Sequence, residues 1–303
     1  MNVAESSPTT AMLAQCERTG DLLAAATRAI EAAGTSESPR LDAMLLLWQA
    51  TERPRASFFA FPERLVPRLA RLEFAELVAR RVRGEPVAYI VGSHEFFSLP
   101  ILVCSDVLIP RPDTELLVEA TLARCSARNS LTVLDVGTGS GAIALAVKYS
   151  CRDVQMTALD VSPGAIEQAQ VNESFVLEMP EPAVRWVVSR WFDAIPAERF
   201  DLIVSNPPYV RTADIVGGLT FEPRLALDGG ADGLDAYRVL FAEASKHLNA
   251  GGALLVEHGA EQRPALVELA AQHEWRVAAA RDDLAGRPRV LELELELEQR
   301  AAS

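Results

Sequence analysis

Apolar and polar positions along the chain follow three successive patterns. Over residues 9–33 apolar side chains recur at helical spacing (Leu13, Leu22, Leu23, Ala26, Ile30), and Gly34 supplies a stop. Pro39, just after Ser38, suits the first turn of a second helix over the very apolar residues 41–50. A third amphipathic segment, 67–83, places Leu69, Leu72, Leu77 and Val82 inward and a row of arginines (Arg80, Arg81, Arg83) outward as a solvated face. Residues 1–84 are therefore expected to form a helical bundle. Residues 85–112 differ in character. Gly and Pro punctuate aromatics and short β-type runs (87–91, 101–103, 107–109), which predicts a linking β-hairpin. From 113 to 303 strand-like and helix-like segments alternate. Strands are expected at 131–136, 154–160, 184–189, 200–205 and 253–257, and helices at 115–123, 141–149, 163–172, 235–248 and 262–272. That order predicts an α/β fold with a parallel, doubly wound sheet. Residues 291–297 alternate leucine with glutamate, the period of a strand with one wet face.

Composition narrows the class. The chain has 303 residues, 49% apolar and 23% charged, so wholesale disorder is excluded. No apolar run reaches the roughly 18–20 residues that span a bilayer, and the first residues lack a basic region followed by an apolar core. A soluble, cytoplasmic protein without a membrane partner is expected. Net charge is −13, of which −2 falls in residues 1–110 and −11 in 111–303. A field of that sign opposes binding to nucleic acid phosphates. Cys16, Cys104, Cys125 and Cys151 form no CxxC pair, and the four histidines are scattered. Free thiols and no metal site are expected.

Two motifs carry chemistry. Asp135-Val-Gly137-Thr138-Gly139-Ser140-Gly141 ends one strand and opens a helix. Glycines there let the backbone turn sharply and approach a ligand, and a helix N-terminus offers free N–H groups. Such a loop serves nicotinamide, flavin or S-adenosylmethionine cofactors, or a tight turn alone. Asp135 suits a ligand carrying an ammonium group. Asp160, at the end of the next strand, suits the two hydroxyls of a ribose. The second motif, Ser205-Asn206-Pro207-Pro208-Tyr209, directly follows an apolar strand. Successive prolines remove N–H donors and leave rigid carbonyl acceptors, to which Asn206 adds a carbonyl and an NH₂. Together they suit a planar –NH₂ group, with Tyr209 as an aromatic wall.

At these motifs the sequence resembles the S-adenosylmethionine-dependent amino-methyltransferases, whose signature is Asn/Asp-Pro-Pro-Tyr/Phe. The resemblance extends to Gly84-Glu85-Pro86, Glu95-Phe96-Phe97, Ile109-Pro110-Arg111-Pro112-Asp113-Thr114-Glu115, Phe221-Glu222-Pro223, Gly229-Gly230, Asp232-Gly233-Leu234-Asp235 and Glu257-His258-Gly259. These are similar to the release factor glutamine N5-methyltransferases, the HemK/PrmC family, over about residues 81–297. The resemblance implies a Rossmann-like seven-strand methyltransferase sheet and an N-terminal bundle that helps dock the protein substrate. It implies methyl transfer from S-adenosylmethionine to the side-chain amide of the glutamine in the Gly-Gly-Gln motif of class-1 peptide chain release factors. On this reading Gly137, Thr138, Gly139, Ser140, Gly141, Asp160, Trp191 and Asn206 hold the cofactor. Asn206, Pro207, Pro208 and Tyr209 hold the glutamine, with Asn206, Pro207 and Tyr209 serving catalysis. The segment 109–112 either folds over the mouth of the site or is a stiff linker, and Arg111 and Glu115 start the helix that follows it. His258 is given a structural or pocket-wall role. One departure concerns Arg190, which stands where the family usually has an acidic residue before the tryptophan; an arginine has no acceptor for an adenine amine. Three alternatives remain: methylation of a large-subunit ribosomal protein, N6-methylation of adenine, and a binding module without activity.

Overall fold

The computed structural model describes residues 13, 15–126, 130–177 and 183–296. They divide into two units. One runs up to Gly92 and includes Gly217–Phe221; the other comprises Ser93–Val216 and the chain from Glu222 onward.

The first unit contains helices α1 (Thr19–Ala33), α2 (Pro39–Thr51), α3 (Ala56–Ala60), α4 (Arg68–Val82) and α5 (Val87–Val91). Its core joins Leu22, Ile30, Leu46, Phe58, Phe74 and Ile90. The helix expected from residue 9 is broken within the described residues: Leu13 and Gln15 are helical, residues 16–18 are not, and α1 starts at Thr19. Ahead of it the backbone of Glu17 pairs with Val66 (2.9 Å) and Arg18 bridges Leu65, so the chain is extended there. The part of that expectation over 9–12 and 14 lies outside the described residues. Gly34 ends α1 at φ 64°, as expected of a C-terminal glycine.

Three expectations for this unit are corrected. On α4, Leu69 is 79% exposed and Leu72 is also exposed, while Phe74, Ala75, Val78 and Ala79 are buried. The small residues Ala75 and Ala79 form a competing stripe that packs closely. Arg81 is buried rather than solvated. Its Nε lies 2.6 Å from Asp42 Oδ2, and its other nitrogens donate to the backbone carbonyls of Glu85 and Thr35. A buried guanidinium needs that full set of acceptors. Residues 87–91 form a helix, not a strand. Pro86 opens it, Ile90 N donates to Pro86 O (3.2 Å), and Gly92 closes it at φ 80°. The fixed φ of Pro86 and the local bonds outweigh the β-branched composition.

In the second unit β1 (Ser93–Phe96) and β2 (Leu99–Leu102) form an antiparallel hairpin. Phe97 and Ser98, at the turn, both have positive φ (50° and 61°), the geometry that matches strand twist in a two-residue loop. Phe97 N donates to Glu115 Oε1 at 2.8 Å, so Glu115 holds this turn as well as starting a helix. Residues 107–109 are not a strand. They belong to the segment leading to α6 (Glu115–Cys125).

Among the described residues, seven strands then form one sheet: β3 (Thr132–Val136), β4 (Gln155–Asp160), β5 (Val184–Val188), β6 (Phe200–Ser205), β7 (Leu248–Glu257), β8 (Trp275–Asp282) and β9 (Pro288–Leu295). Their order is β5-β4-β3-β6-β7-β9-β8. The first five are parallel, while β9 runs antiparallel to β7 and β8 antiparallel to β9, so the sheet is mixed rather than purely parallel. The crossover helices are α7 (Ala142–Ser150), α8 (Pro163–Val176), α9 (Asp235–Glu243) and α10 (Arg263–Ala271). The inner strands are buried on both faces, which is why they read as continuous apolar runs. The edge strand β8 gives no such signal. Apart from Trp275, it is half-buried or exposed, and sequence reading passes over it. On β9 the expected wet face is only partly wet. Glu292 is buried between Arg124 (2.9 Å) and Arg281 (2.7 Å). Strand order reverses at β3, between β4 and β6, the place where an open α/β sheet leaves a crevice outside its carboxyl ends.

Candidate active site

The glycine loop follows β3. Gly137, Gly139 and Gly141 all have positive φ (78°, 56° and 81°), which side chains rarely adopt. The N–H groups of Gly137 and Thr138 both donate to Leu159 O at 2.9 Å, binding the loop to the end of β4. Asp160 completes the attachment: its Oδ2 accepts from Gly139 N and its Oδ1 from Ser162 N, each at 2.9 Å. Burial raises its pKa, and these backbone donors oppose the shift. Each oxygen keeps acceptor capacity toward the cavity, so the carboxylate is held rigidly and still available. Ser162 then caps α8, accepting from Ala165 N, with Pro163 in the first turn.

Asp135 lies beneath the loop. It is fully buried; Oδ2 accepts from Thr138 Oγ1 at 2.6 Å, and Oδ1 has no partner. Burial pushes its pKa up to about 7, with nearby Asp160 raising it further and Thr138 opposing. It does not line the cavity, whose wall at this point is formed by Val136, Gly137 and Gly139.

The Asn206-Pro207-Pro208-Tyr209 segment leaves β6 beside the glycine loop, and Ser205 Oγ bonds Val136 O across the two strands at 2.7 Å. Asn206 Nδ2 donates to Thr114 Oγ1 at 3.1 Å. Tyr209 turns its hydroxyl to Glu257 Oε1 at 3.3 Å. Close backbone packing supports this segment. A Cβ on Gly233 would stand 2.5 Å from Tyr209 O, and one on Gly229 would stand 2.8 Å from Pro208 O. Gln262 Nε2 donates to both Tyr209 O and Gly233 O at 3.1 Å.

One cavity of about 360 Å³ joins these strand ends, within the size range of ligand pockets. Of the residues expected to hold a cofactor, Gly137, Gly139, Asp160, Trp191 and Asn206 line it. Thr138, Ser140 and Gly141 sit behind the loop. Thr138 and Ser140 are buried, and a Cβ on Gly141 would stand 2.9 Å from the Trp186 ring, so this glycine serves helix–sheet packing. Pro207 and Pro208 line the cavity, whereas Tyr209 does not and points to Glu257. Trp191 is held at φ 49° by Ser189, whose Oγ donates to Trp191 O at 2.9 Å. Arg190 is exposed at the cavity edge and brings no acceptor.

Two segments not singled out for ligand contact also line it, 106–108 and Pro223, Leu225 and Ala226. They are fastened together by buried Glu222, which accepts from Arg111 (2.5 Å) and from Ile109 N (3.2 Å). Arg111 therefore acts in this clasp rather than at the start of α6. His258 is fully buried, with Nδ1 against Gly259 O at 2.8 Å, and lies off the cavity. Among the described residues no cluster of three metal-ligating side chains occurs, and no helix is long and apolar enough to cross a membrane.

Comparison with known proteins adds to this geometry. Residues 21–92 match the PrmC N-terminal domain and residues 112–221 the methyltransferase small domain. A release factor glutamine methyltransferase of Xylella fastidiosa (strain Temecula1) is 42% identical over 268 residues, 86% of this chain and 95% of that one. Another, of Pseudomonas aeruginosa, is 44% identical over 258 residues, 84% and 92% of the two chains. A methyltransferase structure from Pyrococcus furiosus shares the fold at a TM-score of 0.50 and 20% identity, covering 66% of this chain and 91% of that one. Fold and motifs together define a Rossmann-like methyltransferase. Within that class, the chain belongs to the release factor glutamine methyltransferase family.

Proposed function

We propose that this chain methylates the N5 amide of the glutamine in the Gly-Gly-Gln motif of class-1 release factors, with S-adenosylmethionine as donor. The observation that carries this reading is one cavity that joins an acceptor-rich wall, Asn206 to Pro208, with the glycine loop and Asp160. The donor set fits the cofactor. Asp160 offers charged acceptors to ribose hydroxyls, the positive-φ glycines let backbone approach closely, and Leu159, Val161, Ala165 and Trp191 give apolar walls for a ring. When bound, S-adenosylmethionine supplies a methyl group on an electrophilic sulfonium.

The chain's own residues orient the acceptor. A carboxamide nitrogen is a weak nucleophile because its lone pair is delocalised. Asn206 Oδ1 and the Pro207 carbonyl accept its two N–H bonds and fix its plane. Orientation of this kind is worth roughly 7–11 kcal/mol in favourable cases. The same carbonyl dipoles favour the positive charge that develops on nitrogen. Tyr209 contributes through its backbone and its bond to Glu257, not as a wall. The helical unit is assigned to release factor docking, and the −13 charge argues against a nucleic acid substrate.

The test is intact mass spectrometry of unmethylated release factor incubated with the protein and S-adenosylmethionine, followed by peptide mapping. A single methyl on the Gly-Gly-Gln glutamine is expected. No methyl there, with cofactor binding shown separately, would overturn this substrate.

A further inference from the structure

Asp160 offers its carboxylate to the cavity from a frame of backbone donors, and that frame is closed by a side chain outside the cavity lining. Asn172 lies on α8 and is 0% exposed. Its Nδ2 donates to Ser140 O and to Leu102 O, each at 2.9 Å, and its Oδ1 accepts from Leu102 N at 2.8 Å. Only one orientation of the amide satisfies this set. Reversed, its oxygen would face two carbonyl oxygens and its NH₂ an N–H donor. Ser140 is where such a hold matters. It stands between Gly139 and Gly141, both at positive φ, in a stretch with little conformational preference of its own. The Gly139 N–H in turn donates to Asp160 Oδ2, and the Ser162 N–H, at the start of α8, donates to Asp160 Oδ1. The bonds therefore form a ring: from Asp160 to Ser162, along α8 to Asn172, across to Ser140, and through Gly139 back to Asp160. The helix also abuts the loop directly, since a Cβ on Gly141 would stand 3.1 Å from Ala169 Cβ, one turn before Asn172.

We propose that Asn172 is a positioning residue for the cofactor end of the cavity. It sets the glycine loop and Asp160 in their binding geometry before S-adenosylmethionine arrives, and it ties that geometry to the β1–β2 hairpin. This rests on the cofactor assignment above and adds to it a residue that no ligand touches. The tie to the hairpin is a pair of bonds to one residue, Leu102, the last of β2. The backbone leading on from it reaches the cavity wall at 106–108. Gln168 Nε2 donates to Leu102 O at 3.2 Å, so it shares the hairpin contact without the bond to Ser140. Order already present in the free protein need not be imposed by the ligand, and binding is tighter for it. The coupling is reciprocal. A cofactor that steadies Ser140 also steadies the Asn172 bridge, and with it Leu102, which lies outside the cavity lining.

Calorimetry and amide exchange on the whole chain test this without any methyl acceptor, and kinetics with release factor add a third reading. In Asn172→Ala the calorimetric affinity for S-adenosylmethionine, and KM for it, should weaken about tenfold or more. At saturating cofactor, kcat and KM for release factor should change less than about threefold, because the acceptor wall is held by other bonds. Gln168→Leu keeps the bond to Ser140 and should bind cofactor within about twofold of the wild type. Should Asn172→Ala fold poorly, the wild type alone decides: S-adenosylmethionine should slow exchange of the Leu102 N–H about tenfold or more. Unchanged affinity in a folded Asn172→Ala, equal losses in the two variants, a loss confined to kcat, or Leu102 exchange indifferent to cofactor overturns the proposal. A wild type that binds S-adenosylmethionine but leaves the glutamine unmethylated overturns the acceptor reading alone. No cofactor binding by the wild type overturns both.

Discussion

The two halves of the cavity are built differently. At the ends of β3 and β4 the site is made from neighbours in sequence. Asp135 bonds Thr138, three residues away, and Asp160 bonds Gly139, 21 residues away. At the end of β6 the site depends on distant parts of the chain. Asn206 bonds Thr114 across 92 positions, Tyr209 O receives Gln262 across 53, and Glu222 reaches Ile109 across 113. The first half is a local turn that any crossover of this fold can form. The second is assembled only when α6, β6, β7 and the loop at 222–233 come together. A cofactor site of the first kind tolerates change elsewhere in the chain, whereas an acceptor site of the second kind depends on it.

Three substitutions sharpen this contrast, in falling order of effect. Asn206→Ala removes one acceptor of the glutamine amide. It should reduce kcat about a hundred- to a thousandfold, the scale of losing one preorganised polar group. Calorimetric affinity for S-adenosylmethionine should barely move, and a parallel loss of both would mean that the halves are not separable. Gly233→Ala comes next. Its new methyl would stand 2.5 Å from Tyr209 O and 2.7 Å from Gln262 Nε2, at a φ of 78°. The backbone of 206–209 must shift, so turnover should fall roughly tenfold or more while cofactor binding persists. Wild-type turnover in this variant would contradict the claim that packing at 229–233 aims the acceptor wall.

The smallest effect is on stability. Burial raises the Asp135 pKa to about 7 in the folded protein, above its ordinary value. Between those two values the folded state binds more protons than the unfolded state, so stability falls as pH rises through that window. Asp135→Asn retains an acceptor for Thr138 and carries no charge. Its Tm should fall less than the wild type's between pH 5 and pH 8, by roughly 2–4 °C per kcal/mol recovered. Glu257 titrates in the same sense and leaves part of the drop in place. Identical thermal profiles would show that Asp135 is not the group responsible.

The same contrast explains what was legible in the sequence. The inner parallel strands were readable because burial on both faces leaves uninterrupted apolar runs, and the glycine loop because positive φ leaves a compositional mark. Asn206 to Tyr209 stood out as a motif. Its supports did not, because a threonine, a glutamate and a glutamine carry no mark of what they face. Thr114 and Glu257 lay inside segments whose resemblance was noted, yet only the fold brings them to Asn206 and Tyr209. Strand β8 escaped because an exposed edge needs no apolar pattern, and Arg81 was taken as solvated because its acceptors come from Asp42, Thr35 and Glu85.

The division into two halves is tested most directly by amide hydrogen exchange, first with S-adenosylmethionine alone and then with a Gly-Gly-Gln peptide added. Cofactor alone should protect peptides covering 137–141, 160–165 and 189–192, and leave 209–216 and 229–234 near their free rates. The peptide should then slow exchange at 209–216 and 229–234. Protection of both sets by cofactor alone, or none at 137–141, would contradict a cavity made of separable cofactor and amide halves.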